Sequence, residues 1–132
     1  MGFIAEQLDL PATAARMWQL VRDFQHPERL APGFVETSSG SDDIRRVRIV
    51  GDTQLVERLI SCDDRAMRLA YTATSGQSEY HHAAMQILHT GPGSCRLVWT
   101  TDVLPGELDG HVRANMRRGL RAIAGTLAAQ AP

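Results

Sequence analysis

From Glu107 to Ala129 the apolar residues Leu108, Val112, Met116, Leu120, Ile123 and Leu127 recur every three or four positions, with Arg113, Arg117, Arg118 and Arg121 largely opposite them. An α-helix turns once every 3.6 residues, so this spacing predicts one long amphipathic C-terminal helix with a continuous apolar stripe. A stripe of that length has to be covered. Apart from helical segments near the N-terminus, the regular elements before it read as β-strand, so the chain is expected to lay this helix on a sheet, an α+β architecture.

The strands are marked by alternation and by turn residues. Phe3 to Leu10 alternates and stops at Pro11, predicting a first strand. Pro11 to Phe24 places Ala14, Met17, Trp18, Val21 and Phe24 on one helical stripe, and Pro27 to Gly33 has room for a short second helix or turn between prolines. Phe34-Val35 begins a new extended segment, and Ser38 to Asp43 reads as a loop. Ile44 to Val50 and Gln54 to Ser61 form a hairpin about Gly51-Asp52-Thr53, since Gly and Asp tolerate positive φ. Met67 to Ala73, Tyr80 to His89 and Arg96 to Leu104 complete a sheet of six or seven antiparallel strands, broken at Pro105-Gly106.

Composition narrows the function. With 132 residues, 43% hydrophobic and 22% charged, residues 1–132 are expected to form a single domain with a real core. Fourteen basic residues against 15 acidic ones give a net charge of -1, which argues against nucleic acid or an anionic membrane surface as partner. All the basic residues are arginine, a bias that a GC-rich bacterial genome explains. Cys62 and Cys95 lie far apart in no metal-ligand spacing, and no apolar stretch is long enough for a signal or membrane-spanning helix. Free thiols and a cytoplasmic protein without membrane insertion are the expectation, as monomer or homodimer.

The order of strand, helix, short helix, antiparallel meander and long C-terminal helix is the helix-grip plan, in which a curved sheet wraps the last helix and leaves a cavity. Pro11-Ala12-Thr13-Ala14-Ala15-Arg16-Met17-Trp18 resembles the opening helix of the START-like, or SRPBCC, superfamily in its polyketide cyclase/dehydrase branch. Asp23-Phe24 with Leu30-Ala31-Pro32-Gly33 is similar to its next conserved segment, with Leu30 where an aromatic residue is usual. Val56-Glu57-Arg58-Leu59, Asp63-Asp64, Leu69-Ala70-Tyr71 and Leu97-Val98-Trp99-Thr100 are similar to its central and penultimate strands. The resemblance spans nearly the whole chain and implies a cavity for a small hydrophobic molecule, a polyketide, lipid or isoprenoid, with no cofactor. Birch-pollen allergen and abscisic acid receptors share this fold.

Candidate site residues follow from registers and faces. A two-residue Gly51-Asp52 turn would set Arg46 opposite Glu57 and bring Arg46 and Arg48 onto the face of Leu55, Glu57 and Leu59. Resemblance to abscisic acid receptors implies that Glu57 points into the cavity; an exposed ion pair with Arg46 is the alternative. Tyr80 and His82 share a strand face, where a hydroxyl and an imidazole would orient a carbonyl or shuttle a proton, or simply pack on an amphipathic strand. Glu57, Tyr80 and His82 are thus the catalytic candidates, and Arg46, Arg48, Trp99, His111 and Asn115 the ligand-binding ones. His111 and Asn115, four apart on the last helix, either contact the ligand or flank its core stripe. Adjacent His81 and His82 point to opposite faces and no HxH or HExxH spacing occurs, so no metal site is expected.

Three functions fit: an acid–base polyketide cyclase, aromatase or dehydratase; a non-catalytic carrier or sensor; and a partner-regulating module. The polar residues above favour ligand binding and leave turnover open.

Overall fold

The computed structural model describes residues 2–126 and 129. Strand β1 (Gly2–Leu10) leads into α1 (Ala14–Arg22), whose first turn is capped by the Thr13 hydroxyl accepting from the Arg16 N–H at 3.2 Å. Ala14, Met17, Trp18 and Val21 form its buried stripe. Asp64 anchors the helix from outside: its carboxylate accepts from Trp18 Nε1 at 2.9 Å and from Arg22 Nε at 2.8 Å. A single turn, α2 (Pro27–Leu30), follows, with Pro27 at the position where a missing N–H costs nothing.

Six further strands complete the sheet: β2 (Val35–Ser41), β3 (Ile44–Ile49), β4 (Thr53–Asp63), β5 (Arg68–Ala73), β6 (Tyr80–Gly91) and β7 (Ser94–Leu104). Among the described residues the seven strands are ordered β1-β7-β6-β5-β4-β3-β2, every neighbouring pair antiparallel. Register shifts at Val35/Thr37, Leu59/Ser61 and His89/Gly91 mark bulges, which bend and twist the strands that carry them. The sheet curves around α3 (Asp109–Ala124), entered through a 3-10 turn at Gly106–Leu108. Glu6 of β1 straps the helix down, accepting from both Arg113 Nη1 and Arg117 Nε at 2.9 Å.

Two expectations change. Ser38 to Ser41 belongs to β2 instead of a loop, and only Asp42 and Asp43 turn the chain, Asp42 at φ 56°. An edge strand draws its order from backbone hydrogen bonds to β3 and needs no apolar alternation, so its serines and glycine carried no strand signal. The last helix ends at Ala124 with Gly125 as its C-cap, five residues short of the predicted end, and Leu127 lies outside the described residues.

The core lies between the concave sheet face and the helices, with Ile4, Met17, Leu97 and Ile123 fully buried. Gly119 is required where α3 crosses the sheet: a Cβ there would meet Trp99 Cζ3 at 2.8 Å. Among the described residues no helix is long and apolar enough to cross a membrane.

Candidate functional site: the polar end of an apolar cavity

Because the helix covers only part of the curved sheet, a cavity of about 750 Å³ remains between them. Most of its wall is aliphatic or aromatic, from Leu30 and Phe34 after α1 to Val47, Leu69, Met85 and Met116. Its exposed rim carries Gly76 and Gln77 of the β5–β6 loop and His111 of α3.

The polar chemistry is concentrated where β3, β4, β5 and β6 lie side by side. Arg45 pairs directly with Glu57, and Glu57 with Ala73 on the next strand. Arg45 Nε donates to Glu57 Oε1 at 2.8 Å and Arg45 Nη1 to the Phe24 carbonyl at 2.9 Å. Its guanidinium sits 4.1 Å from the centroid of the Phe24 ring and 4.9 Å from that of Tyr71, so aromatic faces shield a cation that water hardly reaches. Both side chains of the pair are 10% exposed. Removing two charges from water is costly, and the fork of hydrogen bonds and the ring contacts offset that cost.

Tyr71 and His81 complete the cluster, their ring centroids 6.0 Å apart. Burial, reinforced by the nearby Glu57 carboxylate, pushes the Tyr71 phenol well above the ordinary tyrosine range, so it stays protonated. The Trp99 indole N–H is buried beside this hydroxyl and completes no hydrogen bond. His81 Nδ1 accepts the Ala73 backbone N–H at 2.9 Å, which places the ring proton on Nε2. Burial also lowers the His81 pKa, with Glu57 opposing that shift, so the imidazole is held neutral.

The residues expected from sequence separate into two sets. Glu57, Trp99, His111 and Asn115 line the cavity. Arg46 and Arg48 are exposed and stand outside it, and Arg48 pairs with Asp52. The cause is the β3–β4 loop, which has three residues, Val50, Gly51 and Asp52, where two were expected; Gly51 and Asp52 adopt φ of 91° and 62°. That extra residue slips the register by one, so Arg45 replaces Arg46 opposite Glu57, and a one-residue slip exchanges the faces. Tyr80 is 46% exposed, and neither it nor His82 lines the cavity; the adjacent His81 does. Arg45, Tyr71 and His81 were missed although a signal existed. Val47 and Ile49 share Arg45's parity, and Ala83, Met85 and Ile87 share that of His81, so the apolar members of each strand already marked the inward face.

Among the described residues no group of three His, Cys, Asp or Glu side chains is placed to hold a metal ion. No match is found among curated proteins. Among solved structures, a solution NMR structure from Thermobifida fusca is 27% identical, with 94% of this chain and 91% of that one covered and a TM-score of 0.76. The Zhui aromatase/cyclase from Streptomyces sp. R1128 is 16% identical with a TM-score of 0.79, covering 93% and 91% of the two chains. Norcoclaurine synthase from Thalictrum flavum, in complex with dopamine and hydroxybenzaldehyde, is 19% identical with a TM-score of 0.67, covering 89% and 83%. The last two share the fold, and at those identities the likeness extends no further. A family model described as polyketide cyclase / dehydrase and lipid transport matches residues 3–131. With nearly the whole chain matched and the helix-grip architecture in place, the chain belongs to this polyketide cyclase/dehydrase branch of the START-like superfamily.

Proposed function

We propose that the protein binds a small hydrophobic molecule, of the polyketide, lipid or isoprenoid kind, inside the 750 Å³ cavity. The observation that carries this reading is the contrast within one cavity: an apolar wall large enough for a drug-sized molecule, with the Arg45, Glu57, Tyr71 and His81 cluster on part of it. Apolar burial supplies affinity, at about 25 cal/mol per Å², and the polar cluster fixes orientation. The chain contains no lysine, all 14 basic residues being arginine, so side-chain imine chemistry with a ligand carbonyl is not open to it. Any turnover would be proton transfer through Glu57, Tyr71 and His81, the reaction class that enolisation and dehydration need.

The test is native mass spectrometry of the purified protein, followed by thermal shift against a library of neutral polyketides, isoprenoids and lipids. A copurified hydrophobic molecule, or a library member that raises Tm in the parent protein and less in Tyr71→Phe, supports the reading. A protein that is empty and shifted by no library member overturns it.

A further inference from the structure

The cavity's charge balance selects among hydrophobic ligands. Arg45 and Glu57 are the only Arg, Asp or Glu side chains lining it among the described residues, and they neutralise one another at 2.8 Å. The guanidinium is also held in place: Nε donates to Glu57, Nη1 to the Phe24 carbonyl, and the rings of Phe24 and Tyr71 lie against it. It cannot swing to meet an anionic ligand without breaking these contacts and stranding the Glu57 carboxylate, a buried charge that would then lack its partner. A ligand carboxylate or phosphate would therefore meet a cation whose charge Glu57 already compensates, and an ammonium group would find Glu57 already engaged by Arg45.

What the cluster does offer is donors. Among the described residues the Tyr71 hydroxyl donates no hydrogen bond, the group beside its oxygen being the Trp99 N–H, itself a donor, and His81, whose Nδ1 accepts from Ala73, keeps its proton on Nε2. Both side chains line the cavity, their rings adjacent. The Trp99 N–H beside the Tyr71 oxygen favours rotation of the hydroxyl proton away from the indole. Two neutral donors beside an internally compensated ion pair match one kind of group, a neutral oxygen acceptor such as a ketone.

We infer that the site takes an uncharged, carbonyl-bearing hydrophobic molecule, gripped at its oxygen by Tyr71 and His81, and discriminates against anionic lipids and amines of the same size. The inference rests on the cavity-binding function proposed above and specifies the charge class of its ligand.

Isothermal titration calorimetry at pH 7.5 with four probes of one shape decides it: naphthalene, 2-acetylnaphthalene, 2-naphthoate and 2-(aminomethyl)naphthalene. The ketone is expected to bind at least tenfold more tightly than the carboxylate or the ammonium compound and several-fold more tightly than the hydrocarbon. Tyr71→Phe and His81→Phe are each expected to lower the ratio of ketone to naphthalene affinity about fivefold, naphthalene binding reporting the cavity itself. Equal or tighter binding of either charged probe overturns the inference, as does a ketone no better than naphthalene, and in both cases the cavity still binds. If none of the four binds, the cavity-binding reading falls and the inference falls with it.

Discussion

Arg45 and Glu57 face each other as direct partners on β3 and β4, Nε to Oε1 at 2.8 Å, with each side chain 10% exposed. A buried pair of this kind has asymmetric energetics, since losing one partner costs far more than losing both. Arg45→Met and Glu57→Leu are each expected to destabilise the protein by about 3–5 kcal/mol, by leaving the other charge unpaired. The double substitution should cost much less than the sum. Urea denaturation of the four proteins checks this, and additive losses would mean the two charges do not compensate one another.

Gly119 lets α3 approach the sheet at Trp99. In Gly119→Ala the new Cβ would lie 2.8 Å from Trp99 Cζ3, 3.2 Å from Cη2 and 3.4 Å from Phe34 Cε2. Alanine favours the helix by about 1 kcal/mol, whereas overpacking costs about 1–3 kcal/mol. A net loss near 1 kcal/mol is expected, together with altered tryptophan emission as Trp99 shifts in the cavity wall. A gain in stability by chemical denaturation would show that α3 moves away without penalty.

His81 makes stability depend on pH. Burial lowers its folded-state pKa from the ordinary value of 6.5, and protonation would also displace the Ala73 N–H from Nδ1. Between the lowered folded value and 6.5 the unfolded chain binds more protons, so stability rises with pH in that window and is lost as pH falls through it. Denaturation midpoints between pH 5 and 7 should therefore change less in His81→Phe than in the parent protein. Parallel profiles would place the dependence elsewhere.

The two thiols should differ sharply in reactivity. Cys62 is exposed, but partial burial and the neighbouring Asp64 carboxylate raise its pKa, and Cys95 is wholly enclosed. A thiol reagent at neutral pH is expected to modify Cys62 slowly and Cys95 only after denaturation, since the thiolate is the reacting form. Peptide mapping assigns the label, and modification of Cys95 in the folded protein would contradict its enclosure.

Much of the architecture was readable because its signals are local. The stripe through Ala14, Met17, Trp18 and Val21 marks the first helix, Pro27 and Pro32 bracket the short second one, and the stripe through Met116, Leu120 and Ile123 demands a surface to cover it. Such features depend on backbone geometry and on a periodicity that any short window contains. The strand through Ser38 to Ser41 was missed because its order comes from β3, across the sheet.

The site divides along the same line. The sequence by itself determined that Glu57, Trp99, His111 and Asn115 belong to elements bordering a cavity, since helix-grip order and family resemblance place those elements. Only the tertiary structure decided that Arg45 and not Arg46 meets Glu57, and that Tyr71 and His81 gather beside that pair. The physical reason is that strand side chains alternate with period two, so one additional loop residue at Val50-Gly51-Asp52 reverses the facing of a whole strand pair. That loop length is settled by the curvature and packing of the complete sheet.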